Sequence, residues 1–253
     1  MKVGAIYYTD SGIEPKILNG CIKQIKRSFS GEVVAVSLKR PVDFKKNIIL
    51  NRDRGIMTYF TQILTALENS TADYVFFLEH DILYHPSHFN FVPLGDDTFY
   101  YNTNVWKWNY YNHRVITYNH QASVSGMSAN RELALRFYRR RLKIIYDKGY
   151  DKVKTFGNPT WARNMGYEPG KHGGRNKLEP AKFEEWWSTF PIIDIRHTRS
   201  MTVPKMRPEG FKKKPENWQE TLIENLPGWH EPWKLVGADF SKPAEAHWLD
   251  TRV

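Results

Sequence analysis

The sequence predicts an α/β fold in which a central, largely parallel sheet is flanked by helices. Three observations carry that reading. Apolar runs rich in β-branched and aromatic residues stand at Lys2–Thr9, Glu32–Leu38 and Tyr74–Leu78. The gaps between them hold segments of helical period, which is the crossover that parallel strands require. The third run continues as FFLEHDILYHP (Phe76–Pro86) and ends in two carboxylates and an imidazole. Ligands of open α/β sheets collect at such strand ends.

Taken in order, Lys2–Thr9 is a buried first strand, and Asp10, Ser11 and Gly12 form a turn and helix-start signal. From Pro15 to Ser28, Ile17, Leu18, Cys21, Ile22 and Ile25 recur at helical spacing, with Pro15 in the first turn where its missing N–H costs nothing. Glu32–Leu38 (EVVAVSL) is a second strand and Asn47–Leu50 a minor third. Ile56, Tyr59, Phe60, Ile63, Leu64 and Leu67 mark one face of a second helix, and NSTAD breaks the chain before Tyr74–Leu78. The next part is mixed. Thr98–Trp108 and Arg114–Tyr118 read as strands, and Asn130–Tyr146 as a basic helix carrying Arg136, Arg139, Arg140 and Arg141, the run 139–141 reading as a solvated face or, with a DNA acceptor, as phosphate contacts. The stretch 157–174 is rich in Gly, Pro and Asn and reads as a long loop. Phe183–Trp187 is expected to be helical, Pro191–Ile195 a last strand, and the remainder an irregular tail. The expected division is a catalytic domain over 1–202, with a nucleotide-binding half at 1–95 and a second half at 96–202, followed by an extension at 203–253.

The chain has 253 residues, 41% of them hydrophobic, enough for a sizeable core. The single cysteine, Cys21, excludes an intramolecular disulfide framework and reads as a core residue. No run of apolar residues is long enough for a membrane span, and the N-terminus lacks a signal-peptide pattern, so a cytoplasmic protein is expected (the host cytoplasm if the source is a phage). A net charge of +10 favours polyanionic partners: nucleic acid, acidic lipid or phosphorylated small molecules. Aromatic residues make up 15% of the chain, nine of them Trp, which suits stacking on sugars or bases as well as a core.

Two strand ends carry the chemistry. Glu79 and Asp81 are hard oxygen ligands of the kind that hold Mg2+ or Mn2+ against a diphosphate, and on a fully extended strand both would face one side. Far away in sequence, IIDIRHTRSMT (Ile192–Thr202) ends a second strand with Asp194, Arg196 and His197, and an imidazole can complete a Mn2+ site. Solvated strand-end carboxylates and a hydrogen-bonded structural histidine are the plainer alternatives. Arg52 and Arg54, in Asn51–Gly55 just before the second helix, are candidates for diphosphate contact together with the helix N-terminus; ordinary surface arginines are the alternative. Glu184 and Glu185, beside Trp186 and Trp187, are candidate general bases, since carboxylates next to indoles lose water and gain proton affinity. Two solvated acids on a helix are the bland version. His85 and His88 read as capping and packing residues rather than a zinc site.

QILTALENSTADYVFFLEHDILYHPSHF together with IDIRH resembles a GT-A-type glycosyltransferase, more narrowly a little-characterised group of bacterial and phage glycosyltransferase-like proteins. The similarity covers roughly residues 1–202, with Glu79-His80-Asp81 in place of the usual DxD. It implies a GT-A-like (Rossmann-like) sheet and a divalent cation, Mn2+ or Mg2+. Asp81 and His197 are the implied ligands, and Glu79 a metal or ribose contact. It also implies nucleotide contacts from Tyr8, Thr9 and Asp10, and a donor-sugar pocket at Ser125 and Gly126, placed at a strand-to-helix junction. The expected reaction moves a sugar from a nucleotide sugar, a UDP-sugar, to an acceptor that includes a hydroxylated base of phage DNA among its candidates, with inversion or retention left open. A nucleotidyltransferase and a non-catalytic basic nucleic-acid-binding protein are the competing functions.

Overall fold

In the computed structural model, residues 1–149, 167–170, 181–200 and 205–240 are described. The first half follows the periodicity of its sequence closely. Strand β1 (Val3–Thr9) feeds helix α1 (Pro15–Ser28), β2 (Glu32–Leu38) and β3 (Lys46–Leu50) follow, and helix α2 (Ile56–Asn69) leads to β4 (Tyr74–Glu79). β1 lies between β2 and β4 and is parallel to both, and β3 extends the sheet beyond β2. Such strands are buried on both faces, which is why they read as continuous apolar runs rather than alternations. Ala5, Tyr7, Phe76 and Leu78 point to one side of the sheet and Ile6, Tyr8, Val75 and Phe77 to the other.

Beyond β4 the chain makes the short β5 (Ile82–Leu83) and a 3-10 turn at Pro86–Asn90. It then runs through β6 (Thr98–Asn102), β7 (Val105–Asn109), β8 (Arg114–Thr117), β9 (Met127–Asn130) and helix α3 (Arg131–Asp147). After it come β10 (Lys182–Trp186), β11 (Ile192–Arg196) and β12 (Gln219–Leu222). Two sheets result. The larger has seven strands in the order β10-β6-β9-β4-β1-β2-β3, and the smaller five in the order β12-β8-β7-β11-β5. Helices α2 and α3 cover one face of the large sheet; α1 and the small sheet share the core on the other. The α/β class with a helix-flanked central sheet is therefore the observed one.

Four expectations are corrected. The continuous run Thr98–Trp108 is two strands in different sheets, because the Asn102 side chain accepts from the Asn104 amide (3.0 Å) and turns the chain between them. Phe183–Trp187 is not helical. Its backbone pairs parallel with β6 from Lys182 to Trp186, and a five-residue piece gains more from an existing sheet edge than from nucleating a helix. Arg141 is not part of a solvated arginine face. It is fully buried, its guanidinium set against the rings of Phe60 and Phe137, and it donates to the Tyr167 carbonyl (3.0 Å), while Arg136, Arg139 and Arg140 are exposed. The tail, finally, is not wholly irregular: β12 pairs antiparallel with β8, and a helical turn at Pro232–Leu235 packs on α1. Gly20 makes that docking possible, since a Cβ there would lie 2.2 Å from the Leu235 carbonyl oxygen. Ile223, Leu226 and Val236 complete the core beneath. Most of the loop expected at 157–174 lies outside the described residues. Within it Pro169 accepts from the Tyr101 hydroxyl (2.7 Å).

Candidate functional site

The carboxyl ends of β1 and β4, with the N-terminus of α2, surround an open cleft. Tyr8, Thr9, Asp10, Leu38, Arg54, Gly55, Thr58, Tyr59, Gln62, Glu79, His80, Asp81 and Arg199 line it. The location follows from topology: β1 is the central strand and its neighbours β2 and β4 run the same way, so their ends open on one side.

The β1 end is tied down by its own side chains. Thr9 Oγ1 accepts from the Ser11 amide (2.9 Å) and meets His80 Nδ1 at 2.6 Å, which couples the ends of β1 and β4. Asp10 accepts from the Gly12 amide (2.8 Å) and faces Arg54 Nε at 3.1 Å. Arg54 thus sits before α2 with a carboxylate on one side and the cleft on the other, and Gly55 and Thr58 at the start of the helix line the same space. Arg52, two residues earlier, is exposed and does not line the cleft.

The two acids of the triplet go separate ways. β4 ends at Glu79, and His80 and Asp81 form a turn, so the extended geometry that would aim both carboxylates alike does not hold. Glu79 Oε1 accepts from the hydroxyls of Tyr8 (3.2 Å) and Tyr59 (3.3 Å), on the α2 side. Burial, then the negative charges of Asp81 and Asp194, raise its pKa to about 8, so it carries a proton at neutral pH. Asp81 turns towards the small sheet, where its Oδ2 lies 3.4 Å from His197 Nε2. Burial works against its ionisation, but His197, His80 and Arg196 outweigh it and hold the carboxyl down at about 2. The contact with β11 is fixed by the backbone, as the Ile195 amide donates to the Asp81 carbonyl (2.9 Å). On that strand Arg196 Nη1 is 3.1 Å from both carboxylate oxygens of Asp194.

His197 is only 2% exposed, and its Nε2 is a buried polar atom without a hydrogen-bond partner among the described residues. Its Nδ1 lies 3.2 Å from the Arg199 amide, and Nε2 becomes free to ligate only when the ring proton sits on Nδ1 and this amide contact is given up. An ionised oxygen and an imidazole nitrogen at this separation fit adjacent positions around one small divalent ion, whose ligands about 2.1 Å from the centre lie about 3 Å apart. Among the described residues no three His, Cys, Asp or Glu side chains form a complete cage. A Mg2+-like ion supported by one or two protein ligands, with water and phosphate oxygens supplying the rest, needs none.

The remaining sequence candidates lie elsewhere. Glu184 and Glu185 are exposed on the edge strand β10, and Glu185 pairs with His120 (2.8 Å), so the desolvation expected of them is absent. Ser125 and Gly126 belong to a 3-10 turn that leads into β9, not to a strand-to-helix junction. Ser125 is buried, bonded to Ser123 (2.7 Å) and, through its carbonyl, to the Tyr84 hydroxyl (2.9 Å), while Gly126 lets the backbone pass over Asn102. Neither lines the cleft. His85 caps the Pro86–Asn90 turn, accepting from the Ser87 amide (3.1 Å), and His88 is stacked on Trp186.

Sequence reasoning did not single out Tyr59, Gln62 or Arg199. Gln62 offered a signal: it shares a helix face with Tyr59 and Ala66, where a polar residue is out of pattern.

No protein-family model matches the chain, and no curated protein matches it. Solved structures similar to it include the glycosyltransferase GlyE of Streptococcus pneumoniae TIGR4. That likeness has 11% identity and a TM-score of 0.41, over 73% of this chain and 45% of that one. Its apo form is similar over 60% of this chain and 39% of its own, with a TM-score of 0.37 and 11% identity. Glucosyl-3-phosphoglycerate synthase of Mycobacterium tuberculosis, solved with Mn2+, UDP and phosphoglyceric acid, is 12% identical with a TM-score of 0.35, over 60% of this chain and 65% of that one. The chain thus spans less than half of the GlyE structures. None of these similarities assigns a reaction or a ligand to it.

Proposed function

We propose that the protein is a metal-dependent glycosyltransferase of GT-A type that moves a sugar from a nucleotide sugar, a UDP-sugar, to an acceptor hydroxyl. The observation that carries the reading is the meeting of Asp81 and His197, from strand ends more than a hundred residues apart, at 3.4 Å beside the cleft at the carboxyl ends of β1 and β4.

Tyr8, Thr9 and Asp10 are the proposed base and ribose contacts, all three lining the cleft. Arg54, Arg199 and the first turn of α2 receive the diphosphate, a use supported by the helix dipole and by guanidinium geometry. Asp81 and His197 hold the cation, Mn2+ or Mg2+. Bound there, it neutralises charge on the departing nucleoside diphosphate. Glu79, bonded to the Tyr8 and Tyr59 hydroxyls, lines the cleft beside Asp81. As acceptor class, a hydroxylated base of DNA is supported by the net charge of +10 and by Arg136 and Arg140 exposed on α3; a glycan or protein hydroxyl is the other class.

The test is release of nucleoside diphosphate from a panel of nucleotide sugars with Mn2+ and with EDTA. Mn2+-dependent UDP release that disappears in folded Asp81→Ala is the expected result. Pyrophosphate release would point instead to a nucleotidyltransferase. Salt-sensitive DNA binding indifferent to Mn2+, with no turnover, would point to a binding protein.

A further inference from the structure

Deep in the cleft, Gln62 of α2 is 4% exposed and lines the wall together with Leu38, Thr58 and Tyr59. Its Nε2 donates to the carbonyls of Thr9 (2.8 Å) and Val36 (3.0 Å), at the ends of β1 and β2. Both partners are acceptors only, so the orientation of the amide is determined: the NH2 group faces the sheet and the oxygen faces away from it. Among the described residues Oε1 accepts no hydrogen bond, and it is not among the buried polar atoms left without a partner. It therefore opens onto the cleft that the residue lines. A buried amide spends both donors on the backbone and holds out a fixed acceptor between an aliphatic and an aromatic side chain.

We propose that Gln62 is a specificity-determining residue that reads the ring N3–H of uracil. This rests on the nucleotide-sugar reading of the cleft and adds to it the group that chooses the base. A flat base entering the cleft beside Leu38 and Tyr59 would meet Oε1, whose chemistry selects for a ring nitrogen that donates. Uracil presents such an N–H between its two carbonyls. Cytosine presents a lone pair at the same ring position, which sets acceptor against acceptor and leaves both desolvated without a partner. Rotating the amide to help cytosine would break both bonds to Thr9 and Val36, so the preference is built into the strand ends themselves.

The experiment is calorimetric titration of the full chain with UDP, 3-methyl-UDP and CDP in Mn2+, repeated on Gln62→Met, which keeps the side-chain length and removes the acceptor together with the two donors to Thr9 and Val36. The wild type is expected to bind UDP on the order of tenfold or more tightly than either analogue. Gln62→Met is expected to lose most of that ratio by weakening UDP while leaving 3-methyl-UDP near its wild-type affinity. Equal wild-type affinities for the three ligands overturn the proposal and leave the nucleotide site standing. So does a folded Gln62→Met with the wild-type ratio. If the variant fails to fold, the wild-type ratios alone decide. Absence of binding by all three nucleotides overturns the underlying reading, and this proposal with it.

Discussion

Glu79→Gln isolates the electrostatics of the cleft in one substitution. In the folded protein the Glu79 carboxyl has a pKa of about 8, against an ordinary 4.5. A folded-state pKa above the unfolded one means that the native protein holds an extra proton between those values. Stability contributed by this group is complete below pH 4.5 and falls as pH rises, levelling off above pH 8. At about 1.36 kcal/mol per pH unit, the interval between 4.5 and 8 is worth on the order of 5 kcal/mol, more than half of it lost by pH 7. Glutamine copies the shape of the protonated acid and accepts from the Tyr8 and Tyr59 hydroxyls through its amide oxygen, without the titration. Urea unfolding of both proteins at pH 5, 7 and 8.5, with EDTA present, measures the difference. The variant is expected to be close to wild type at pH 5 and to gain several kcal/mol on it by pH 8.5. Stability differences that stay constant across that range would show that Glu79 ionises at its ordinary pKa, and the reasoning about its tyrosine-lined site would be wrong.

Three further outcomes follow from the same geometry. His197→Ala removes the nitrogen 3.4 Å from Asp81, and the rise in melting temperature on adding Mn2+ should shrink to the level of a surface control; an undiminished rise would place the ion elsewhere. Arg54→Ala should weaken UDP by about tenfold in titration calorimetry, with loss confined to ligands that carry the diphosphate, so equal weakening of uridine would contradict a phosphate role. Gly20→Val sets side-chain carbon against the Leu235 carbonyl. A loss of about 2 kcal/mol in urea unfolding, with a shift in fluorescence as Trp233 is exposed, is expected; an unchanged stability would mean that the tail does not dock on α1.

The parts of this molecule that were legible in sequence are those where one physical signal dominates. β1, α1, β2, α2 and β4 have long apolar periods and clear breakers, and their boundaries lie within a residue or two of expectation. Misreadings cluster where a longer-range partner decides. Nothing local to Phe183–Trp186 announces that β6 offers it a parallel edge, and nothing in Thr98–Trp108 marks the Asn102 side-chain bond that divides it between sheets. The site shows the same division. Arg54, Glu79 and Asp81 follow from their position at strand and helix ends and Tyr8, Thr9 and Asp10 from the family resemblance, and all six line the cleft, whereas Arg52 and His197 do not. Glu184 and Glu185 were chosen from their neighbours in sequence, whose indoles turn out not to shield them. The divergence of Glu79 and Asp81 was hidden because it depends on where β4 ends and on tyrosines contributed by β1 and α2.

The central claim is that Asp81 and His197 bind a divalent ion which in turn holds a nucleoside diphosphate in the cleft. Titration of UDP into the wild-type protein with Mn2+, into the same protein with EDTA, and into Asp81→Asn with Mn2+ tests it most directly. The account predicts saturable binding in the first case, and at least about tenfold weaker binding in the other two, with Asp81→Asn still cooperatively folded. UDP affinity that is the same in all three, or no UDP binding in any of them, would contradict it.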